Sequence, residues 1–323
     1  MSKVVFMGTP DFASGILEAL IGSEYHVSAV FTQPDRPKGR GKSIEMSPVK
    51  ETALKAGIDV YQPLKIRGPE NTELLRKLQP DFIVVAAFGQ IIPQSILDIP
   101  RFGCLNVHAS LLPAWRGAAP IQWSIISGDR ETGVTIMRMN AGLDTGDIIS
   151  ERKVEIRPDE TGGSLFDRLM PVGAGLLLET MRKIEAGEAV YTPQPETSTT
   201  PYASMLTKKS GLIDWTKSAE QIERSVRGLS PWPGTYTFEH GKMLKVWKAE
   251  ASAEASKEEA CPRSGEGPVP GTIVKAAKKD LFVQTGKGIL SLLEVQPEGK
   301  KRMSADAYLR GYRPEEGEVL GKA

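Results

Sequence analysis

The chain has 323 residues, 41 Lys/Arg against 40 Asp/Glu for a net charge of +1, and 40% hydrophobic and 25% charged residues. This is ordinary globular composition, long enough for two domains, and it excludes a polyelectrolyte. The two cysteines, Cys104 and Cys261, form no C-x-x-C, which excludes a disulfide framework and a zinc knuckle.

The apolar piece Val4–Met7 is too short for a signal-peptide core. No apolar run approaches the ~20 residues that a membrane-spanning helix needs. A cytoplasmic protein in a reducing compartment, without a membrane partner, is therefore expected. From Lys208 onward there are 20 Lys/Arg against 16 Asp/Glu, while the rest of the chain is slightly acidic. Such a mild split reads as solvated surface.

Taken in order, Val4–Met7 reads as a buried strand, Gly8-Thr9-Pro10 as a turn, Asp11–Leu20 as a helix and Val27–Phe31 as a second strand. Strand, helix, strand in about thirty residues is a parallel βαβ unit. Residues 46–57 and 71–78 read as helices. The continuous apolar run Phe82–Ala87 is a strand covered on both faces. Cys104–His108 is a strand, 121–126 a helix, and 133–139 a strand with Ile148-Ile149 beside it. Residues 165–184 form a long helix, with a kink expected from Pro171, Gly173 and Gly175.

The fold class is α/β, an open Rossmann-like sheet over residues 1–189. Residues 190–207, rich in Thr, Pro and Ser, read as a linker. Residues 208–323 carry one helix, 219–226, then short strands at 235–239, 243–247, 271–274, 281–285 and 288–293. A small β-barrel is their natural closure, with 251–270 a mobile loop within it.

The chemistry concentrates in Asn106-Val107-His108, where an amide and an imidazole two residues apart on a strand share one face. The chain has three histidines, and only His108 has such a setting. An isolated histidine is more often a core residue bonded to backbone; the neighbouring Asn106 and the Ser110–Pro113 turn shift that balance. Asp144 sits in the glycine-interrupted loop Asn140–Asp147. It is either a turn aspartate or a carboxylate carried to His108 across the carboxyl edge of the sheet, and spacing does not choose. The Gly8-Thr9-Pro10 turn lacks G-x-G-x-x-G, which argues against a bound dinucleotide. Residues 33–50 hold five basic and two acidic side chains. They read as a solvated loop or as a protruding arm that grips phosphates. Among these motifs there is no metal-ligand cluster.

Together the segments Gly8–Ala13, Thr32–Lys50, Asn106–His108 with Ser110–Pro113 and Arg116-Gly117, Gly142–Asp147, Ile213-Asp214-Trp215, Pro231-Trp232-Pro233 and Lys245–Ala249 resemble the methionyl-tRNA formyltransferase family over nearly the whole chain. The Asn-x-His…Asp trio marks the wider folate-dependent formyltransferase and hydrolase superfamily. The resemblance implies 10-formyltetrahydrofolate as formyl donor and the initiator methionyl-tRNA as acceptor, for translation initiation. It implies Asn106, His108 and Asp144 as catalytic residues, and a folate site at Ser110, Leu111, Leu112 and Pro113 with Phe88, Gly89 and Ile91. It further implies tRNA contacts from Arg36, Lys38, Arg40, Lys42 and Lys208, and a second domain that is an OB-like barrel. A monomer is expected.

Asn106 and His108 would stabilise the oxyanion of a tetrahedral intermediate. Asp144 would orient His108 or take a proton from the amine. The rival readings are a formyltransferase acting on an amino sugar nucleotide or glycinamide ribonucleotide, a formyltetrahydrofolate hydrolase, and a non-catalytic RNA-binding protein.

Overall fold

The computed structural model describes residues 1–38, 43–251 and 268–321, with Pro37, Lys38, Ser43 and Ile44 by backbone alone. Two compact units emerge, one of residues 1–120, 131–155 and 166–204, the other of 121–130, 156–165 and the chain from Met205.

In chain order the first run of elements is β1 (Lys3–Gly8), α1 (Asp11–Ile21), β2 (His26–Phe31), β3 (Arg36–Lys38), β4 (Ser43–Glu45), α2 (Pro48–Lys55), β5 (Val60–Tyr61), α3 (Pro69–Leu78), β6 (Phe82–Ala86), α4 (Gln94–Leu97), β7 (Cys104–His108), α5 (Pro120–Ser127), β8 (Glu131–Arg138), β9 (Asp147–Glu155) and α6 (Gly162–Glu185). Seven strands pair in the order β5-β2-β1-β6-β7-β8-β9. The first five are parallel, and β8 and β9 extend the sheet antiparallel.

The central strands are apolar on both sides because both faces are covered: Val4 to Met7 and Phe82 to Val84 are fully buried. The chain leaves β1 towards β2 on one side and returns through β6 on the other. The carboxyl ends of β1 and β6 therefore flank a topological switch point, where open α/β sheets place ligands. The strand β7 lies next to it.

Three features differ from the sequence expectation. First, α6 runs as one helix of 24 residues through Pro171. Gly173 instead serves packing, since a Cβ there would lie 3.1 Å from Val107 and 3.4 Å from Val134 on the sheet. Second, the flanks of the basic arm pair as the antiparallel strands β3 and β4; residues 39–42 between them, with Arg40 and Lys42, lie outside the described residues. Third, residues 190–204 run within the first unit. Ala203 is fully buried and exchanges backbone hydrogen bonds of 2.8 Å with Arg116 and Ala118. A Thr/Pro/Ser-rich segment reads as a linker because it has no apolar periodicity; its extended backbone and hydroxyls are anchored by hydrogen bonds rather than by burial.

The two borders of the sheet are unequal. Strand β5 is two residues long, and β9 exposes Glu151, Arg152, Lys153 and Glu155.

The second unit holds α7 (Ala219–Gly228), β10 (Thr235–Glu239), β11 (Lys242–Ala251), β12 (Ile273–Ala277), β13 (Asp280–Gln284), β14 (Ile289–Pro297), β15 (Met303–Ser304) and α8 (Ala305–Tyr312). Its strands form an antiparallel, barrel-like sheet in the order β10-β11-β14-β13-β12, with β15 on β14. Among the described residues, β10 and β12 end the ladder rather than closing it. Trp215, Ile222, Val246, Leu292 and Tyr308 fill the core. The sequence expectation contained no helix at α8. The segment starts from a cap, Ser304 Oγ accepting from the Ala307 amide at 3.3 Å. The expected loop at 251–270 falls almost entirely on 252–267, outside the described residues.

Candidate active site

Strand β7 is held on both sides, Asn106 opposite Val85 of β6 and Met137 of β8, and His108 opposite Thr135 of β8. Both polar side chains are buried, Asn106 at 9% and His108 at 6% exposure. Buried polar groups of this kind need partners, and the partners define the site.

Asn106 Nδ2 donates to Asp144 Oδ1 at 3.3 Å. The backbone N–H of Gly117 donates to Asp144 Oδ2 at 2.9 Å. His108 Nδ1 lies 3.9 Å from the same Oδ2, and His108 Nε2 is 3.0 Å from the carbonyl oxygen of Trp115. A carbonyl only accepts, so Nε2 carries a proton and Nδ1 is the nitrogen turned to the carboxylate. The amide, imidazole and carboxylate thus converge at the carboxyl end of β7.

The Asp144 loop is self-braced. Asn140 Oδ1 accepts from the Gly142 amide and the Thr145 hydroxyl, both at 2.9 Å. Asp144 itself has φ of +53°, a left-handed conformation in which aspartate is among the better tolerated residues. Gly117 has φ of +128°, and a Cβ there would sit 2.6 Å from the Ala203 carbonyl and 2.5 Å from the Tyr202 ring. Only glycine allows that amide to reach the carboxylate. Tyr202 is half-exposed; desolvation first, and then the Asp144 charge, hold its phenol above the usual range.

The turn after β7 is equally fixed. Ser110 is fully buried, and its hydroxyl donates to the Ala114 carbonyl at 2.6 Å. Thr135 Oγ1 donates to Ser110 O at 2.7 Å and accepts from the Leu112 amide at 3.1 Å. Leu112 is buried, with Leu111 and Pro113 partly covered. The loop after β6 holds Phe88, buried, and Gly89 and Ile91, exposed. The Phe88 carbonyl accepts from Thr9 Oγ1 at 3.3 Å and Gln33 Nε2 at 3.1 Å. In this loop Ile91 is the large apolar side chain left exposed, at 81%.

At the base of the arm, Lys50 Nζ donates to Asp35 at 2.5 Å and to Gln62 at 2.8 Å. Gln62 Nε2 donates to Asp35 at 2.8 Å and to the Gln33 carbonyl at 2.9 Å. The Lys50 hydrogen bond, and then that of Gln62, hold the Asp35 carboxyl below the usual range. One of the arm's five cations is therefore structural. Arg36 Nη2 reaches Gln33 Oε1 at 3.4 Å. The side chains of Lys38, Arg40 and Lys42 lie outside the described residues. Lys208 is exposed at the start of a short 3-10 turn in the second unit.

Sequence reasoning missed Gln194. Its Nε2 donates to the carbonyls of Asp144 at 3.0 Å and Gly146 at 2.7 Å. Its Oε1 accepts from Arg116 Nε at 3.1 Å and Nη2 at 2.9 Å. Ser198 donates to the Pro113 carbonyl at 2.6 Å, and Thr200 Oγ1 accepts from the Trp115 amide at 2.7 Å. Nothing in the composition of 190–204 signalled this; only long-range pairing does. Cys104, the one cysteine in this sheet, is no nucleophile, since burial pushes its thiol up to about 12. Among the described residues no group of three or more His, Cys, Asp or Glu is arranged to hold a metal, and no helix is long and apolar enough to cross a membrane.

The chain matches two family models, "Formyl transferase" over residues 2–181 and "Formyl transferase, C-terminal domain" over residues 205–313. A methionyl-tRNA formyltransferase from Agathobacter rectalis is 56% identical over 315 residues, 98% of each chain. One from Geotalea uraniireducens is 49% identical, covering 99% of this chain and 98% of its own. Among solved structures, an N-formyltransferase from Helicobacter canadensis in complex with folinic acid and dTDP-3-aminofucose superposes with a TM-score of 0.64 at 17% identity, over 92% of this chain and 100% of its own. At that identity the likeness is one of fold. The chain belongs to the formyl transferase family and, within it, to the methionyl-tRNA formyltransferases.

Proposed function

We propose that this protein transfers the formyl group of 10-formyltetrahydrofolate to the α-amino group of initiator methionyl-tRNA, supplying translation initiation in the cytoplasm as a monomer. The observation that carries this reading is the convergence of Asn106, His108 and Asp144 in a chain 56% identical to a methionyl-tRNA formyltransferase.

The acceptor is an α-amine, which ordinarily titrates near pH ~8 and is neutral in a useful fraction at physiological pH. Its lone pair attacks the formyl carbon, and the carbonyl electrons move to oxygen. Asn106 has a second amide N–H beyond the one on Asp144, and it donates to that oxyanion. A donor of this kind is worth about 2.7–4 kcal/mol of barrier. His108, with Nε2–H bound to Trp115, takes the amine proton at Nδ1. Asp144 balances the charge that the imidazole gains. Collapse of the intermediate breaks the bond to the folate nitrogen, which takes the proton held at His108 Nδ1 as it leaves and so returns the imidazole to its starting state.

The folate is held by the turn Ser110, Leu111, Leu112 and Pro113 and by the loop Phe88, Gly89 and Ile91. In both places the buried side chains set the backbone, and the backbone and Ile91 meet the ligand. The tRNA is held by Arg36, Lys38, Arg40 and Lys42 of the arm and by Lys208. The positive balance of the arm supports phosphate contact. No metal is required, because proton transfer and oxyanion stabilisation are supplied by side chains.

The test is direct. Purified protein, methionyl-tRNA and 10-formyltetrahydrofolate should give formyl-methionyl-tRNA. Asn106→Ala, His108→Ala and Asp144→Ala should each lower turnover by about 10²-fold or more with folate binding retained. Free formate without acceptor, or formylation of an amino sugar nucleotide in place of the tRNA, would overturn the reading. So would wild-type rates in all three variants.

A further inference from the structure

We infer that Gln194 is a positioning residue that sets the catalytic geometry of Asp144, and that the segment 194–203 works as a clasp on the active site. The inference rests on the role proposed above for Asp144.

Asp144 must point its carboxylate at His108 from a left-handed backbone conformation, φ +53°, which is sparsely populated even for aspartate, so the loop that carries it has to be held. The carboxylate end is fixed by Asn106 and Gly117. The backbone end is fixed by Gln194, whose two N–H groups are spent on the carbonyls of Asp144 and Gly146. That amide cannot be turned around: Arg116, a donor only, presents Nε and Nη2 to Oε1. Arg116 is itself buried at 8% exposure and also donates to the Pro195 and Glu196 carbonyls at 2.8 and 3.2 Å.

Arg116 sits between the two residues that hold the trio. The carbonyl of Trp115 accepts from His108, and the amide of Gly117 donates to Asp144. Two of these three residues are gripped from the other side, Trp115 by Thr200 and Arg116 by Ala203. One tripeptide therefore sets imidazole and carboxylate together, and Gln194 joins it to the Asp144 loop. A shift of about 1 Å in such a group costs on the order of 10²-fold in rate.

Gln194→Glu separates the roles. It keeps an acceptor for Arg116, so that anchor survives, but replaces both donations to the Asp144 loop by a negative charge facing two carbonyls. We expect kcat for formyl transfer to fall about 10- to 100-fold, with KM for folate within twofold and thermal midpoint near wild type. The kcat–pH profile should shift, and the His108 ring resonances should move by NMR in the free protein. In a double-mutant cycle, adding Gln194→Met to Asp144→Asn should cost almost nothing further, because Gln194 acts through Asp144.

Unchanged kcat and unmoved His108 ring resonances in Gln194→Glu would overturn the inference. So would losses that multiply in the cycle, or a collapse of stability with both KM values rising together. If the wild-type protein forms no formyl-methionyl-tRNA, the functional reading fails alone, and the His108 ring resonances still decide the role of Gln194.

Discussion

A single carboxylate in this site is restrained at each oxygen by a different kind of donor, one side-chain amide and one backbone amide. The backbone donor exists only because residue 117 is glycine at φ +128°. Gly117→Ala must move the Ala203 carbonyl and the Tyr202 ring, both within 2.6 Å of the new methyl. It should lower turnover at least tenfold and destabilise the protein by about 1–3 kcal/mol, measured by steady-state kinetics and denaturant unfolding. Equal rates and midpoints would mean that the carboxylate is held without it. The pairing of Asn106 with His108 was legible in the sequence, because strand periodicity puts i and i+2 on one face. Asp144 was legible only through family resemblance, since its contact with His108 spans 36 positions. Gln194 was invisible because an amide in a Thr/Pro/Ser-rich stretch carries no local signal.

At the level of elements, β1 and β6 announce themselves as continuous apolar runs, and β2 and β7 as short apolar runs interrupted by polar residues, so all four were readable almost to the residue. The long helix α6 was readable too, but not the use of its glycine: Gly173 looked like a flaw in the helix and is a close-packing site against β7 and β8. Helix α8 was missed because eight residues, with Asp306, Arg310 and a glycine among them, carry a weak period.

The arm is the element whose local chemistry was least visible. Its base is pinned by Asp35, whose carboxyl is depressed by Lys50 and then Gln62. A depressed folded pKa means stability that is present above the unfolded value, ~3.9, and lost as pH falls through the folded one. The Asp35 carboxyl carbon should therefore titrate by NMR with a midpoint below ~3.9, and Lys50→Met should bring that midpoint back up towards it. A midpoint unmoved by Lys50→Met would show that the ion pair does not form in solution.

For the molecule as a whole, near neutrality conceals local concentration. A net charge of +1 gives little long-range attraction for RNA, so binding of a tRNA must draw on local clusters of positive charge, and the arm is the one proposed above. KM for methionyl-tRNA should rise steeply with salt while KM for folate stays flat, and Arg36→Ala should flatten the log–log salt slope by about 1. An unchanged slope would remove Arg36 from the phosphate contacts. The division into an α/β part and a later β-rich part was legible from the change in texture after residue 207. The continuation of the first unit through Ser204 was not, because hydrogen-bonded straps have no periodicity.

The borders of the seven-stranded sheet have a further consequence. A neighbouring chain approaching β5 finds two residues to pair with, and one approaching β9 meets exposed charges of both signs that would have to be stripped of water. Polymerisation edge to edge is thereby disfavoured at both ends of this sheet.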